Sequence, residues 1–162
     1  MRLSDCHNID NFRKLAKARL PWPVFDYIDG AADDELTKGR NTSAFDEVDL
    51  VPDVLAGVGE IDTSCSIMGR KSALPLMLSP TALQRAFHRD GERAVARAAD
   101  KFGVWFGISS LATHSIEEIA ELTEGPKLFQ LYVHKDKGLN ASMIERCQQA
   151  GFDALALTVD TI

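Results

Sequence analysis

Residues 104–133 read VWFGISSLATHSIEEIAELTEGPKLFQLYV, which is an apolar run, a polar segment with a helix signature, and a second apolar run. Ser115 is followed three residues later by Glu118, a capping box that marks the start of a helix between the two runs. Short, continuously apolar runs are typical of strands buried on both faces of a parallel sheet. The stretch therefore predicts one strand–helix–strand unit of an α/β fold.

The same alternation extends to both sides of this stretch. Further apolar runs, which we predict to be buried strands, lie at 74–78 and 154–159. Helices are predicted over about 90–101, where Gly103 ends the helix, and over about 139–150. Four strands therefore alternate with three helices at a repeat of roughly 25 to 30 residues, the pattern of a parallel β/α sheet.

The residues before this repeat, 1–72, have a different pattern. Apolar residues at helical spacing predict a helix from Ile9 and a second short helix over 24–29. An acidic start at 33–35 suits the positive N-terminal end of a third helix. Residues 65–69 then indicate a small hairpin. This part of the chain is predicted to be short helices followed by a hairpin.

Two architectures use the β/α unit, and the repeat alone does not choose between them. An open, doubly wound sheet could be complete with four strands. A closed (β/α)8 barrel takes about 250 residues, so the 162 residues of this chain would supply half of one. The choice depends on where the polar residues fall.

Polar side chains end every predicted strand. They are Ser79 with Thr81, Ser109 with Ser110, Gln130 with Tyr132, and Thr158 with Asp160. A barrel gathers all four carboxyl ends around one ligand, whereas an open sheet uses mainly those at its switch point. Gln130 lies inside an apolar strand, where an unpaired amide costs free energy, so we expect a ligand or network contact there. The pattern favours a barrel mouth, with a small open α/β binding domain as the alternative.

The composition argues against several kinds of partner. The net charge of −6 comes from interspersed acids and bases with no basic stripe, so a nucleic-acid partner has little support. No apolar run approaches the roughly 20 residues that cross a bilayer. Three widely spaced cysteines, Cys6, Cys65 and Cys147, form no metal or disulfide pattern and indicate reduced thiols in the cytoplasm. A peripheral membrane association through a partner stays open.

Six blocks of sequence carry a family resemblance. They are VFDYIDGAAD at 24–33, SPTA at 79–82, GE at 91–92, SS at 109–110, FQLY at 129–132 and ALTVDT at 156–161. In this order they resemble the FMN-dependent α-hydroxy-acid dehydrogenase and oxidase family, which includes L-lactate dehydrogenases, glycolate oxidase and the flavin domain of flavocytochrome b2. The resemblance covers nearly the whole chain.

The resemblance implies a TIM (β/α)8 barrel with FMN lying across its C-terminal mouth. This chain would be the N-terminal half, one partial domain over 1–162. It would consist of N-terminal helices and a hairpin at 1–72 and about four β/α units at 73–162. Six residues would contact the flavin, three through the backbone and three through hydrogen-bonding side chains: Pro80, Thr81 and Ala82, then Ser109, Gln130 and Thr158.

The resemblance also implies residues for the substrate. Tyr27 and Tyr132 would point phenol groups at the carboxylate and hydroxyl of a small 2-hydroxy acid. Asp160 would act with Tyr132 in catalysis by orienting and charge-stabilising a catalytic histidine. Leu111 stands where glycolate oxidase-like members carry tryptophan, and it resembles the lactate-type members. This difference favours L-lactate as the substrate and a dehydrogenase over an oxidase.

Much of the family's machinery would lie after this chain. The catalytic histidine, the carboxylate-binding arginines, the flavin-facing lysine and the FMN phosphate site all fall later in family members. Alone, the chain is predicted to be inactive, completed by a second segment or chain and forming a homo-oligomer when complete. A non-catalytic half-barrel with a structural or binding role is the alternative. Of the histidines, His114 is expected to be exposed, and only His134 follows a strand at the mouth.

Overall fold

The computed structural model of the protein describes residues 2–160. The chain divides into two compact units, of which the first ends at Ile61 and the second begins at Asp62. In the described part of the chain, no helix combines the length and the apolar character that a membrane crossing requires.

The first unit consists of short helices. They are a 3-10 turn at Leu3–Asp5, α1 at Ile9–Arg19, α2 at Trp22–Asp29, α3 at Leu36–Ser43 and a second 3-10 turn at Ala44–Glu47. The Asn8 side chain accepts a hydrogen bond from the Asn11 N–H and so caps α1. The Arg13 guanidinium forms two hydrogen bonds to the Asp29 carboxylate, at 2.5 and 2.8 Å, and ties α1 to α2. The three predicted helices are confirmed.

The second unit begins with the predicted hairpin. Strands β1 at Cys65–Ile67 and β2 at Arg70–Ser72 pair in antiparallel fashion. The two turn residues between them, Met68 and Gly69, both have positive φ angles, of 48° and 79°. Positive φ at both central positions matches the twist of the flanking strands, and glycine adopts it at no steric cost.

A four-stranded parallel sheet follows. Its strands are β3 at Met77–Leu78, β4 at Trp105–Ser109, β5 at Lys127–Leu131 and β6 at Ala154–Leu157, and they lie in the order β3-β4-β5-β6. The connecting helices are α4 at Gly91–Phe102, α5 at Ile116–Ala120 and α6 at Lys137–Gln149. A doubly wound sheet reverses its strand order at a switch point, whereas this order follows the chain without reversal. The sheet is therefore the half-barrel that the polar strand ends predict.

The helices pack against one face of the sheet. Alternate residues of the two central strands, Phe106 and Ile108 on β4 and Phe129 and Leu131 on β5, are buried in the core cluster. The helices contribute Ala96, Ala99, Ile116, Ile119 and Cys147 to the same cluster. The opposite face of β4 carries Trp105, Gly107 and Ser109. One face of the sheet therefore packs against the helices, and the other carries the polar side chain of Ser109.

The first predicted strand, 74–78, is wrong in extent and burial. Only Met77 and Leu78 pair with β4, and Pro75 and Leu76 are exposed. Proline has no N–H to donate to a ladder, and the Leu76 N–H bonds to the Leu74 carbonyl in a turn instead. β3 has β4 as its neighbour on one side only, so it is not enclosed as the central strands are.

Candidate functional site

A row of hydrogen-bonded side chains joins the carboxyl ends of three neighbouring strands. The Ser109 hydroxyl donates to Oε1 of Gln130 at 2.8 Å, and Nε2 of Gln130 donates to the Thr158 hydroxyl at 2.5 Å. The parallel register sets this arrangement, because it places Ser109 beside Gln130 and Gln130 beside Ala156, two residues before Thr158. We call Ser109, Gln130 and Thr158 the polar row.

The polar row retains hydrogen-bonding capacity. The Ser109 hydroxyl also accepts the Leu111 N–H at 3.1 Å, so its donor and one lone pair are used. Within residues 2–160, the second amide hydrogen of Gln130 and the hydroxyl hydrogen of Thr158 bond to no protein group. Gln130 is buried, so an unused amide donor there favours a ligand.

The loop after β3 lies over the same face of the sheet. A Cβ atom on Gly107 would come within 2.7 Å of Cδ and 2.9 Å of N of Pro80, closer than real Cβ atoms approach. Gly107 and Ser109 alternate onto one face of β4. Glycine at position 107 therefore lets Pro80 approach the face that carries the polar row. Thr81 and Ala82 follow directly and are half-buried.

Leu111 is fixed near the row by its backbone. Its N–H donates to the Ser109 hydroxyl, and its carbonyl accepts the Leu83 N–H at 3.1 Å. The Leu111 side chain is exposed. The position that the sequence linked to substrate choice therefore belongs to the loop beside the polar row.

Tyr132, directly after β5, is also held by its backbone. The Tyr132 N–H donates to the Ser110 hydroxyl at 3.1 Å, and the Ser110 N–H donates to the Gln130 carbonyl at 2.9 Å. Asp160 lies two residues beyond Thr158 and is exposed. Tyr27 lies on α2 of the first unit, and its side chain is largely exposed. The substrate and catalytic roles of these three residues stay predictions.

The expectation for His114 is wrong. His114 is not exposed: 7% of its side chain is accessible, and its Nδ1 lies 2.8 Å from the carboxylate of Glu92, which is fully buried. The loop before α5 folds onto the start of α4. The place of His114 just before a helix does not predict this contact. A signal was present, since Glu92 shares one helical stripe with the buried Ala96 and Ala99 at spacings of four and three.

The half-barrel and the polar row are typical of α/β-barrel proteins, the class in which ligands bind at the carboxyl ends of the strands. The chain belongs to the FMN-dependent dehydrogenase family, which it matches over residues 16–162. The family resemblance, the half-barrel fold class and FMN as the family's cofactor are thereby confirmed.

The relatives cover this chain almost completely. The chain is 42% identical to glycolate oxidase of Spinacia oleracea over 154 residues, which are 95% of this chain and 42% of the relative. It is similar in structure to mandelate oxidase, with a TM-score of 0.85, 36% identity, and coverage of 94% of this chain and 46% of the other. It is also similar to a Pediococcus acidilactici protein described as a lactate oxidase, with a TM-score of 0.88, 32% identity, and coverage of 97% and 44%. The chain spans less than half the length of these relatives.

The residues present fit an FMN ring. The edge of a flavin carries carbonyl oxygens and ring nitrogens, which accept hydrogen bonds from amide and hydroxyl groups. The polar row offers one donor of each kind from a buried or half-buried position at the strand ends. Ser109, Gln130 and Thr158 are the residues that would hold the ring, with the loop at 80–82 beside them.

Proposed function

We propose that the protein oxidises an L-2-hydroxy acid, L-lactate in preference, to the 2-oxo acid with FMN. This chain would supply the N-terminal half of the flavin and substrate site. The observation that carries the proposal is the polar row, in which Gln130 bonds to both neighbouring strand ends and keeps one buried amide hydrogen for a ligand. Relatives that are described as glycolate oxidase, mandelate oxidase and lactate oxidase support the reaction class.

The reaction removes two electrons and two protons from one carbinol carbon and its hydroxyl. FMN, when bound, supplies the acceptor for the two electrons. The residues of this chain would hold that acceptor in place: the Gln130 amide and the Thr158 hydroxyl would donate hydrogen bonds to ring atoms, while Pro80 packs beside them. Fixed donors of this kind stabilise negative charge without rearranging during the reaction.

Substrate positioning would fall to the tyrosines. The Tyr132 backbone is anchored to Ser110, so its phenol extends from a fixed strand end and would bind the substrate hydroxyl or carboxylate. Tyr27 would contribute a second phenol. Asp160 would accept a hydrogen bond from a catalytic histidine supplied by the second half and would raise the basicity of that histidine.

A second segment or chain would complete the barrel. Leu155 and Leu157 of β6 pair in register with Phe129 and Leu131 of β5. The two β5 residues are buried under helices, whereas Leu155 is 46% and Leu157 is 56% exposed. Apolar side chains at these positions fit coverage by the next β/α unit. We also propose that the chain alone is inactive, and that the complete protein is a homo-oligomer.

Leu111 supports L-lactate over glycolate. An aliphatic side chain is smaller than the tryptophan of glycolate oxidase-like members, and it leaves room for the methyl group that lactate has and glycolate lacks. Glycolate is the second candidate substrate, because the Spinacia oleracea relative at 42% identity is a glycolate oxidase. The free thiols of Cys65 and Cys147 support a reducing, cytoplasmic location.

The test compares substrates in the complete, FMN-loaded protein. We expect kcat/KM for L-lactate to exceed that for glycolate, and D-lactate to be inert. The variant Leu111→Trp should reverse the preference between L-lactate and glycolate. A higher kcat/KM for glycolate in the wild-type protein would reject lactate but keep the reaction class. Absence of flavin reduction by every 2-hydroxy acid tried would reject the class.

A non-catalytic binding role is the alternative, and the uncovered apolar face of β6 favours it for the chain alone. Gel filtration and visible absorbance separate the two functions. A chain that becomes yellow and active only when the second half is supplied supports the flavoenzyme. A chain that dimerises, or binds the second half, without taking up flavin supports the non-catalytic binding role.

A further inference from the structure

Glu92 is a fully buried carboxylate at the start of α4. It accepts hydrogen bonds at both oxygens. Oε1 accepts the N–H of Thr113 at 2.9 Å and the N–H of Gln84 at 3.3 Å. Oε2 accepts the Thr113 hydroxyl at 2.6 Å and lies 2.8 Å from Nδ1 of His114. Because an ionised carboxylate can only accept, the Nδ1 atom of His114 carries the hydrogen in this contact.

These donors come from two different loops. Gln84 belongs to the loop after β3, whereas Thr113 and His114 belong to the loop after β4. A further bond joins the loops directly, since the Thr113 hydroxyl accepts the Arg85 N–H at 3.3 Å. Gly91 allows this proximity, because a Cβ atom there would lie 2.7 Å from Cγ of Arg85 and 3.1 Å from Cε1 of His114. One carboxylate thus accepts hydrogen bonds from both mouth loops.

The same loops carry residues assigned to the flavin and the substrate. The Gln84 side-chain amide donates to the Thr81 carbonyl at 3.3 Å, and the Leu83 N–H donates to the Leu111 carbonyl at 3.1 Å. Gln84, which is bonded to Glu92, therefore links Glu92 to Thr81, and its chain neighbour Leu83 bonds to Leu111 in the loop after β4.

The charge on Glu92 depends on this arrangement. Burial acts to raise the pKa of Glu92, but the hydrogen bonds from Thr113 and His114 outweigh it, and the pKa lies below its ordinary value. Among the described residues, neither lysine nor arginine forms an ion pair with Glu92. The carboxylate is stable only where the two loops bring their donors together, so its ionisation and the loop positions are coupled.

We propose that Glu92 is a positioning residue of the flavin site, which fixes the loop at 81–83 relative to Leu111 through its bonds to Gln84 and Thr113. This role rests on the proposed function. Glu92 itself would touch neither flavin nor substrate.

The test measures FMN affinity and the visible flavin spectrum of the complete protein. Glu92→Gln keeps the shape but places an amide N–H against existing donors, so we expect FMN to bind about tenfold more weakly, with an altered spectrum. Thr113→Val should also weaken FMN binding and alter the spectrum. Thr113→Ser keeps the hydroxyl, so it should have the FMN affinity and the spectrum of the wild-type protein. Glu117→Gln, which breaks a surface ion pair with Arg146, is the control and should leave both unchanged.

The outcomes separate positioning from simple stability. Lower thermal stability of Glu92→Gln and Thr113→Val with wild-type FMN affinity and spectrum would overturn the positioning role and leave the proposed function intact. A wild-type protein that binds no FMN would overturn both. If Glu92→Gln does not fold, the Thr113→Val and Thr113→Ser pair decides the question alone.

Discussion

The polar groups at the two ends of the parallel sheet differ in how fully other protein groups satisfy their hydrogen bonds. At the amino end of β5, the buried Lys127 ammonium donates to the carbonyls of Thr123 and Gly125, each at 3.0 Å, and the Lys127 N–H donates to Asp153. At the carboxyl end, the polar row leaves an amide and a hydroxyl hydrogen for a ligand. The polar groups at the amino end are satisfied within the fold and stabilise it, whereas those at the carboxyl end are the groups that we expect to bind the ligand.

Gly107→Ala should have the largest effect, because it disturbs the carboxyl end directly. The added methyl group would overlap Pro80, so the loop must move away from the polar row. We expect a loss of about 3 kcal/mol in the free energy of unfolding, at the upper end of overpacking costs. FMN affinity, measured by fluorescence titration, should fall as well.

Gly39→Ala is the matched control for this substitution. Its Cβ would meet nothing within 4 Å, and position 39 lies in α3. Alanine favours a helix interior, so this variant should be slightly more stable, by up to about 1 kcal/mol. Equal effects at positions 107 and 39 would contradict the close approach of Pro80.

Lys127→Met tests the amino end. It removes the ammonium group and leaves the carbonyls of Thr123 and Gly125 without their donor. We expect the free energy of unfolding to fall by about 2 kcal/mol, as is typical when buried polar groups lose a charged partner. Chemical denaturation measures this loss. FMN affinity should not change, and a parallel loss of flavin would mean that the two ends are not independent.

Tyr132→Phe separates chemistry from cofactor binding at the carboxyl end. The tyrosine backbone stays anchored to Ser110, so only the phenol hydroxyl is lost. We expect kcat to fall by about tenfold, since a substrate contact that orients the reacting groups is removed. The dissociation constant for FMN should remain that of the wild-type protein. Selective loss of flavin with normal turnover would contradict the assigned role.

Acid should have the smallest of these effects, through the surface pair of Glu117 and Arg146. The hydrogen bonds from Arg146 lower the pKa of Glu117 from 4.5 to about 2. A lowered folded-state pKa adds stability that is present above pH 4.5 and is lost as pH falls toward 2. Because both side chains are about half exposed, the loss should stay below about 1 kcal/mol. Thermal melts of wild type and Glu117→Gln between pH 6 and 2 should converge at low pH.

The order of elements was predictable because its signals are local. The bond from the Glu118 N–H to the Ser115 hydroxyl is the predicted cap, and Gly103 ends α4 with a φ of 63°. The polar row was predictable in part, since parallel register alone aligns Ser109 with Gln130. The three side chains lie at the ends of β4, β5 and β6. Strands that are consecutive in the chain are also adjacent in the sheet, so their end residues become neighbours.

The remaining features depend on tertiary approach, which no local pattern encodes. The sequence around Glu92 does not predict that Thr113, 21 residues away, is its hydrogen-bond partner. The burial of His114 follows from that same contact. β3 is short because Pro75 cannot donate a ladder hydrogen bond and because β3 has only β4 as a neighbouring strand. These features arise where loops and edges meet other parts of the unit.

The flavin role of Gln130 is the central claim, and an FMN titration of the complete protein tests it most directly. Gln130→Leu keeps the size of the side chain but removes both the amide donor and its bonds to Ser109 and Thr158. We predict that Gln130→Leu binds FMN at least about tenfold more weakly than the wild-type protein. Lys127→Met is the control, because it should lower stability without changing FMN affinity. Wild-type affinity in Gln130→Leu would contradict the claim that the polar row holds the flavin.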